Sequence, residues 1–108
     1  MLTLAFWILV AAALGGVTMA VLDGATKIMR IGHGLIAALG LLILLIGALG
    51  DGGTLTWTAF GILAVGFSAG AILFGVVWRD RAPPRPLIVG HGLINTLGIV
   101  ALGIVVFG

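Results

Sequence analysis

Two stretches, IGHGLIAALGLLIL from Ile31 to Leu44 and VGHGLINTLGIVAL from Val89 to Leu102, decide how this chain folds. They share a glycine-histidine-glycine triplet, the following Leu-Ile and a later Leu-Gly in the same register. The two triplets contain the only histidines of the chain, His33 and His91. Each lies near the start of a long apolar run, where an imidazole without a partner is costly. His33 and His91 are therefore the candidate functional residues.

The composition around these stretches indicates a membrane protein. Of 108 residues, 62% are hydrophobic and only 7% are charged, with no glutamate, whereas soluble domains carry roughly 25% charged residues. With five basic and three acidic residues, the net charge is only +2. So small an excess of basic residues does not indicate nucleic-acid binding. Because the chain has no cysteine, disulfides, iron–sulfur clusters and thiolate zinc sites are excluded.

Four apolar runs are separated by short polar connections. The connections are Asp23–Arg30, Asp51–Thr56 and the proline-containing Arg79–Pro86. About 20 apolar residues span the hydrocarbon of a bilayer, and only helices or closed barrels satisfy the backbone there. We expect one all-α domain over residues 1–108, an integral membrane four-helix bundle of up-down-up-down topology. Its helices are predicted at about 2–22, 31–49, 57–78 and 87–107.

The basic residues predict the orientation. All five lie in or beside the first and third connections: Lys27, Arg30, Arg79, Arg81 and Arg85. The positive-inside rule then places these connections in the cytoplasm and both termini outside. We expect a multi-pass protein of a bacterial inner (plasma) membrane with periplasmic termini.

The chain reads as two related hairpins. The histidine segments match at an offset of 58 residues, from His33 to His91. The helices before them match more weakly at 54 residues, with Ala5-Phe6 against Ala59-Phe60. The sequence thus predicts possible repeats at 1–50 and 51–108, related by a pseudo-two-fold axis along the membrane normal.

The predicted topology places the two histidines at one depth of the bundle. The second and fourth helices run in the same direction and lie diagonally, so their axes are roughly 12–14 Å apart for neighbour spacings of 8–10 Å. That separation is too wide for direct contact between imidazoles, but it suits two imidazoles that reach opposite faces of one haem. Haem iron accepts two axial imidazoles. We predict one haem b, with His33 and His91 as the iron ligands.

Neighbouring residues fit this cofactor. Glycine on both sides of each histidine leaves room for a porphyrin edge, and the four are Gly32, Gly34, Gly90 and Gly92. Arg30 and Arg85 lie near the same membrane face and are candidates to bind the haem propionates.

Other roles for the histidines remain open at the level of sequence. A single intramembrane histidine most often forms a hydrogen bond between helices, and proton handling is a further possibility. A metal ion held by side chains alone is disfavoured, since two histidines cannot supply the four ligands that zinc prefers. A covalent c-type haem is excluded, because no C-x-x-C-H occurs. A chlorin pigment is the rival cofactor, with one histidine on each of two magnesium ions.

The four-helix plan with His33 and His91 resembles small b-type membrane cytochromes. These include cytochrome b561-like bundles and the haem-bearing anchors of respiratory complexes, which hold haem between histidines on neighbouring transmembrane helices. The resemblance covers the architecture and these two residues. It implies one-electron transfer. Because this chain lacks a second histidine pair near the other face, the relay is expected near the cytoplasmic side.

The sequence therefore favours an electron-transfer subunit docked to a larger redox or photosynthetic membrane complex, with a quinone as a possible partner. Its connections are too short to build a catalytic domain, which argues against an enzyme that acts alone. The alternatives are a non-redox structural or chlorophyll-binding accessory subunit, and a small-solute transporter.

Overall fold

Four long helices make up almost all of the chain. The computed structural model describes residues 1–22 and 25–108, the side chain of Asp51 excepted. The helices are α1 (Leu2–Val21), α2 (Lys27–Asp51), α3 (Thr54–Ile72) and α4 (Arg85–Phe107), and the described ranges contain no strand. All four are long and apolar enough to cross a membrane. The predicted all-α membrane bundle is confirmed.

Three helices, α2, α3 and α4, begin earlier than the apolar runs indicate. α2 starts at Lys27 because Thr26 caps it, its hydroxyl accepting a hydrogen bond from the Met29 amide at 3.2 Å. Arg30, predicted in a loop, therefore lies on α2. The helix α3 starts at Thr54, so only Gly52 and Gly53 connect it to α2. The length of an apolar run corresponds to the hydrocarbon thickness of the bilayer. A capped helix continues beyond this run into the polar interface, so it begins earlier. The predicted loop residues Asp23 and Gly24 lie outside the described residues.

The end of α3 departs from α-helical geometry. Leu73–Val77 forms a π-helical turn, closed by a hydrogen bond from the Trp78 amide to the Leu73 carbonyl at 2.8 Å. The following loop contains Pro83 and Pro84, and α4 begins at Arg85 with Pro86 in its first turn, where a missing amide proton costs little.

The helices pack in a ring. Each contacts its neighbour in sequence, and α1 closes the ring against α4. In the part of the chain that the structure describes, no Cα atom of α2 lies within 8 Å of one of α4, which agrees with their predicted diagonal placement. At one end, here called the terminal end, the rings of Phe6 and Phe107 meet at 5.1 Å. At the opposite end, here called the basic end, Arg30 of α2 donates to the Arg79 carbonyl beyond α3 at 2.9 Å.

The contacts of the first hairpin recur in the second. The core contains three pairs related by the two sequence offsets: Ala5 and Ala59, Leu9 and Leu63, Leu44 and Leu102. The close approaches recur as well, because Gly40 packs against Leu9 and Gly98 against Leu63. Small residues let membrane helices approach closely. The internal similarity of the sequence therefore extends to the way each hairpin packs.

This core fills only the terminal half of the bundle. Every described residue that is buried lies at positions 5–12, 40–48, 56–66 or 98–102. Within 13–39 and 67–97, apart from the two undescribed residues, each residue is at least partly exposed. Both histidines belong to this less buried half, next to the basic end.

Candidate functional site

His33 continues the packing face of α2. It lies seven residues before Gly40 and eleven before Leu44, both buried, and this spacing returns to one side of a helix. Its ring is turned toward α1, where Nδ1 donates a hydrogen bond to the Ala12 carbonyl at 2.9 Å. Gly16 of α1 lies so close that a Cβ there would be 3.0 Å from Cε1 of the ring. The hydrogen bond fixes the tautomer and leaves the Nε2 lone pair available.

His91 occupies the corresponding place on α4. Its ring packs against Gly70 of α3, where a Cβ would overlap the imidazole. Phe74, in the π-helical turn, presents its ring to His91 at 5.2 Å and an interplanar angle of 82°. Asn95, one turn along α4, places its amide nitrogen 2.8 Å from the His91 carbonyl and 3.3 Å from Nδ1 of the ring. His91 is thus held between the close approach of α3 at Gly70, the Phe74 ring of the π-helical turn and the Asn95 side chain of α4.

The two histidine environments are related but not identical. Gly16 and Gly70 correspond at the offset of 54, so each ring rests on an equivalent glycine of the preceding helix. Asn95, however, stands where the first hairpin has Ala37. Because an amide nitrogen donates, Nδ1 of His91 accepts in this arrangement and Nε2 carries the ring proton, the opposite of His33. For His91 to offer Nε2 to a metal, the amide of Asn95 must turn so that its oxygen accepts from Nδ1.

The glycines that flank the histidines have open space where a side chain would be. A Cβ at any of the four would meet nothing within 4 Å: Gly32, Gly34, Gly90 and Gly92. The glycines that do touch the rings, Gly16 and Gly70, were missed as site residues by the sequence analysis. The internal repeat could have identified them, since both occur at matching positions of the helices that precede the histidines.

A groove beside His33 opens between α1 and α2. Its volume is about 280 Å³, near the lower end for small-molecule sites. Thr18 supplies its other polar side chain, and that hydroxyl already donates to the Leu14 carbonyl at 2.8 Å. The rest of the lining is apolar or glycine: Ala11, Ala12, Gly15, Met19, Met29, Gly32 and Ile36. The groove brings Gly32 together with His33 on a surface suited to apolar molecules.

Arg30 and Arg85, the predicted propionate ligands, both line a separate cleft at the basic end. This cleft has a volume of about 660 Å³ and also contains Arg79 and Arg81. Neither histidine lines it. The structure therefore brings the two arginines together, at the same end as the histidines but not around their rings.

Side chains alone do not form a metal centre in the described ranges, where no three His, Cys, Asp or Glu residues come together.

Comparison with known protein families, curated proteins and solved structures found no match to this chain. The interpretation of its function consequently depends on the histidine environments and the bundle around them.

Proposed function

We propose that this chain is a membrane-embedded b-type haem protein that relays electrons near the cytoplasmic face, as a small subunit of a larger redox or photosynthetic complex. One observation carries the proposal. His33 and His91 lie on equivalent packing faces of two helices that run in the same direction, in the half of the bundle where no described residue is buried. A macrocycle between the hairpins would cover apolar surface there that the protein itself leaves uncovered.

The hydrogen bond of His33 supports a ligand role. Histidines that bind metals usually donate their other ring N–H to a carbonyl or carboxylate, which orients the ring and raises the basicity of the ligating nitrogen. Nδ1 of His33 donates to the Ala12 carbonyl in this way. The polar contact of the His91 ring is to the Asn95 amide nitrogen instead. The proposal therefore requires the Asn95 side-chain amide to turn, so that its oxygen accepts from Nδ1 of His91.

A bound haem would supply one-electron chemistry, and the chain would supply its ligands and surroundings. Two axial imidazoles leave no open position on iron, which favours electron transfer over oxygen chemistry. Arg30 and Arg85 place positive charge at the same end as the histidines, where propionates would be neutralised. The positive-inside rule assigns this end to the cytoplasm of a bacterial inner membrane, with both termini periplasmic.

A second candidate, a pigment-binding accessory subunit, is favoured by the separate packing of the histidines. His33 contacts α1 and His91 contacts α3, each inside its own hairpin. Two such sites would suit two chlorins, each with one histidine on its magnesium. The candidates differ in stoichiometry, with one shared haem in the first and two singly ligated pigments in the second.

Absorption spectra of the detergent-purified protein, oxidised and dithionite-reduced, test the proposal, and pyridine extraction counts the haem. We expect one haem b per chain with a sharp low-spin reduced spectrum. His33→Ala and His91→Ala should each abolish haem retention while expression stays measurable. Leu35→Ala and Leu93→Ala, two residues along the same helices and exposed, should keep the wild-type spectrum.

Other outcomes would contradict the haem proposal in distinct ways. Full haem content in either histidine variant would rule out shared ligation. A chlorin spectrum would establish the pigment-binding subunit. A preparation that stays colourless after haem is supplied would assign both histidines to helix packing.

A further inference from the structure

We propose that the cleft at the basic end binds the phosphate of an anionic phospholipid, whose acyl chains lie along α1 and α4. Neither histidine lines the cleft, but it includes Arg30 and Arg85, whose positive charge the haem proposal also uses. Lipid binding itself does not depend on haem. The proposal rests on the charge of the cleft, on contacts that fix its arginines and on its apolar part.

The charge of the cleft is strongly positive. Four arginines line it, and Asp80 is the one acidic residue in its described lining, so the formal charge there is +4 − 1 = +3. Asp80 lies 3.4 Å from Nε of Arg79, with both side chains well exposed. An exposed pair of this kind neutralises little, and the other three arginines make no ion pair within the described residues. A ligand for this cleft must therefore be anionic.

Two contacts position the arginines before any ligand arrives. Arg30 donates to the Arg79 carbonyl at 2.9 Å, which fixes the loop after α3 against the start of α2. The guanidinium of Arg81 stacks over the ring of Trp78, with its central carbon 4.7 Å from the ring centre. A guanidinium stacked on a ring still presents its N–H donors at its edge. These donors can form hydrogen bonds with phosphate oxygens. The side chains of Arg30 and Arg81 are therefore held in place within the cleft.

The remaining lining identifies the ligand as an amphiphile. Met19, Leu22 and Ile88 provide apolar surface in the same cleft. They lie at the ends of α1 and α4, two helices able to span a membrane that also contact each other. Tryptophan at this level, as at Trp78, is typical of the membrane interface. A phosphate in the arginine part would leave its glycerol and acyl chains beside these apolar residues, so a phospholipid fits better than a soluble anion.

Native mass spectrometry of the intact protein in detergent tests this, with phosphatidylglycerol or phosphatidylcholine added. We expect one preferred phosphatidylglycerol per chain. The double variant Arg81→Gln/Arg85→Gln should lower that affinity by more than about 25-fold, which exceeds the non-specific contribution of two charges at roughly fivefold each. Lys27→Gln is the matched control, since Lys27 is basic, exposed and outside the cleft. It should change affinity by less than about fivefold, the non-specific contribution of one charge.

Three results would overturn the proposal. An equal loss in the control and in each arginine variant made singly would show a diffuse electrostatic effect instead of a site. Displacement of the lipid by millimolar inorganic phosphate would identify a soluble-anion site. If the double variant lost haem but kept its preference for phosphatidylglycerol, the arginines would be propionate ligands. The haem measurement is independent, so a colourless protein that still selects phosphatidylglycerol leaves this proposal standing.

Discussion

At the scale of single residues, stability depends more on the glycines that contact the histidine rings than on the glycines next to each histidine in the sequence. The Gly70→Ala methyl would overlap the His91 imidazole, whereas the Gly92→Ala methyl would meet nothing within 4 Å. Overpacking a filled contact costs about 1–3 kcal/mol. Alanine in place of glycine at an open helical position instead gains up to about 1 kcal/mol of helix propensity.

Gly70→Ala should therefore lower the free energy of unfolding by about 1–3 kcal/mol, and Gly92→Ala should leave it unchanged or raise it. Unfolding in mixed detergent and dodecyl sulfate micelles measures both. Gly16→Ala should have an intermediate effect, since its Cβ would still be 3.0 Å from Cε1 of His33. Equal stabilities of the Gly70 and Gly92 variants would mean that the His91 ring moves aside freely.

The sequence singled out two histidines, but it could not show most of the groups that contact them. His33 and His91 stand out because an imidazole in an apolar run needs a partner. Which carbonyl, amide or ring provides it depends on how the helices are rotated. The contacts of His33 with Ala12 and of His91 with Phe74 therefore follow only from the packed structure. Asn95 is different, because its spacing of one helical turn from His91 already brings the two side chains together. The predicted ligand roles, and those of Arg30 and Arg85, stay predictions until a cofactor is measured.

At the scale of helices, the two hairpins pack through equivalent close approaches. A Cβ at Gly40 would lie 2.8 Å from Cγ of Leu9, and one at Gly98 would lie 2.5 Å from Cγ of Leu63. Because these contacts are equivalent, Gly40→Ala and Gly98→Ala should destabilise the protein by similar amounts, about 1–3 kcal/mol each.

Gly61→Ala in α3 is the control for this pair, since its methyl would have open space around it. The same micelle unfolding assay applies. If one of the two variants were clearly destabilised and the other were as stable as Gly61→Ala, the hairpins would not pack alike.

Helix number and topology could be predicted because bilayer thickness determines the length of an apolar run. The ends of the helices could not be predicted in this way, since they depend on local capping. Thr26 extends α2 to Lys27, and the two-residue connection Gly52-Gly53 lets α3 begin at Thr54. The π-helical turn at Leu73–Val77 has no signature in the apolar pattern, because every residue in it also suits an α-helix.

At the scale of the whole molecule, the bundle is a pair of hairpins joined through Gly52 and Gly53. Each hairpin contains its own close glycine contacts, and both contribute to one core. Fragments 1–52 and 53–108, co-expressed with a tag on one of them, should therefore co-purify from membranes, as separately inserted helices can associate afterwards.

A second pair of fragments, divided after Gly66 in the middle of α3, serves as the control for co-purification. Gly66 is buried, and a break there leaves backbone groups unsatisfied inside the bilayer. If the first pair failed to associate while the second pair succeeded, the hairpins would not be the units of assembly.

The uneven distribution of buried residues has a mechanical consequence. Separating the hairpins at the terminal end would expose Leu44 and Leu102, which are completely buried. Separating them at the level of the histidines would expose little that is not already uncovered. The stiffness of the molecule therefore falls along the membrane normal, and its softest deformation is a pivoting of one hairpin against the other about the terminal end. This motion changes the distance between His33 and His91. It displaces the basic end furthest, where it must break the hydrogen bond from Arg30 to the Arg79 carbonyl.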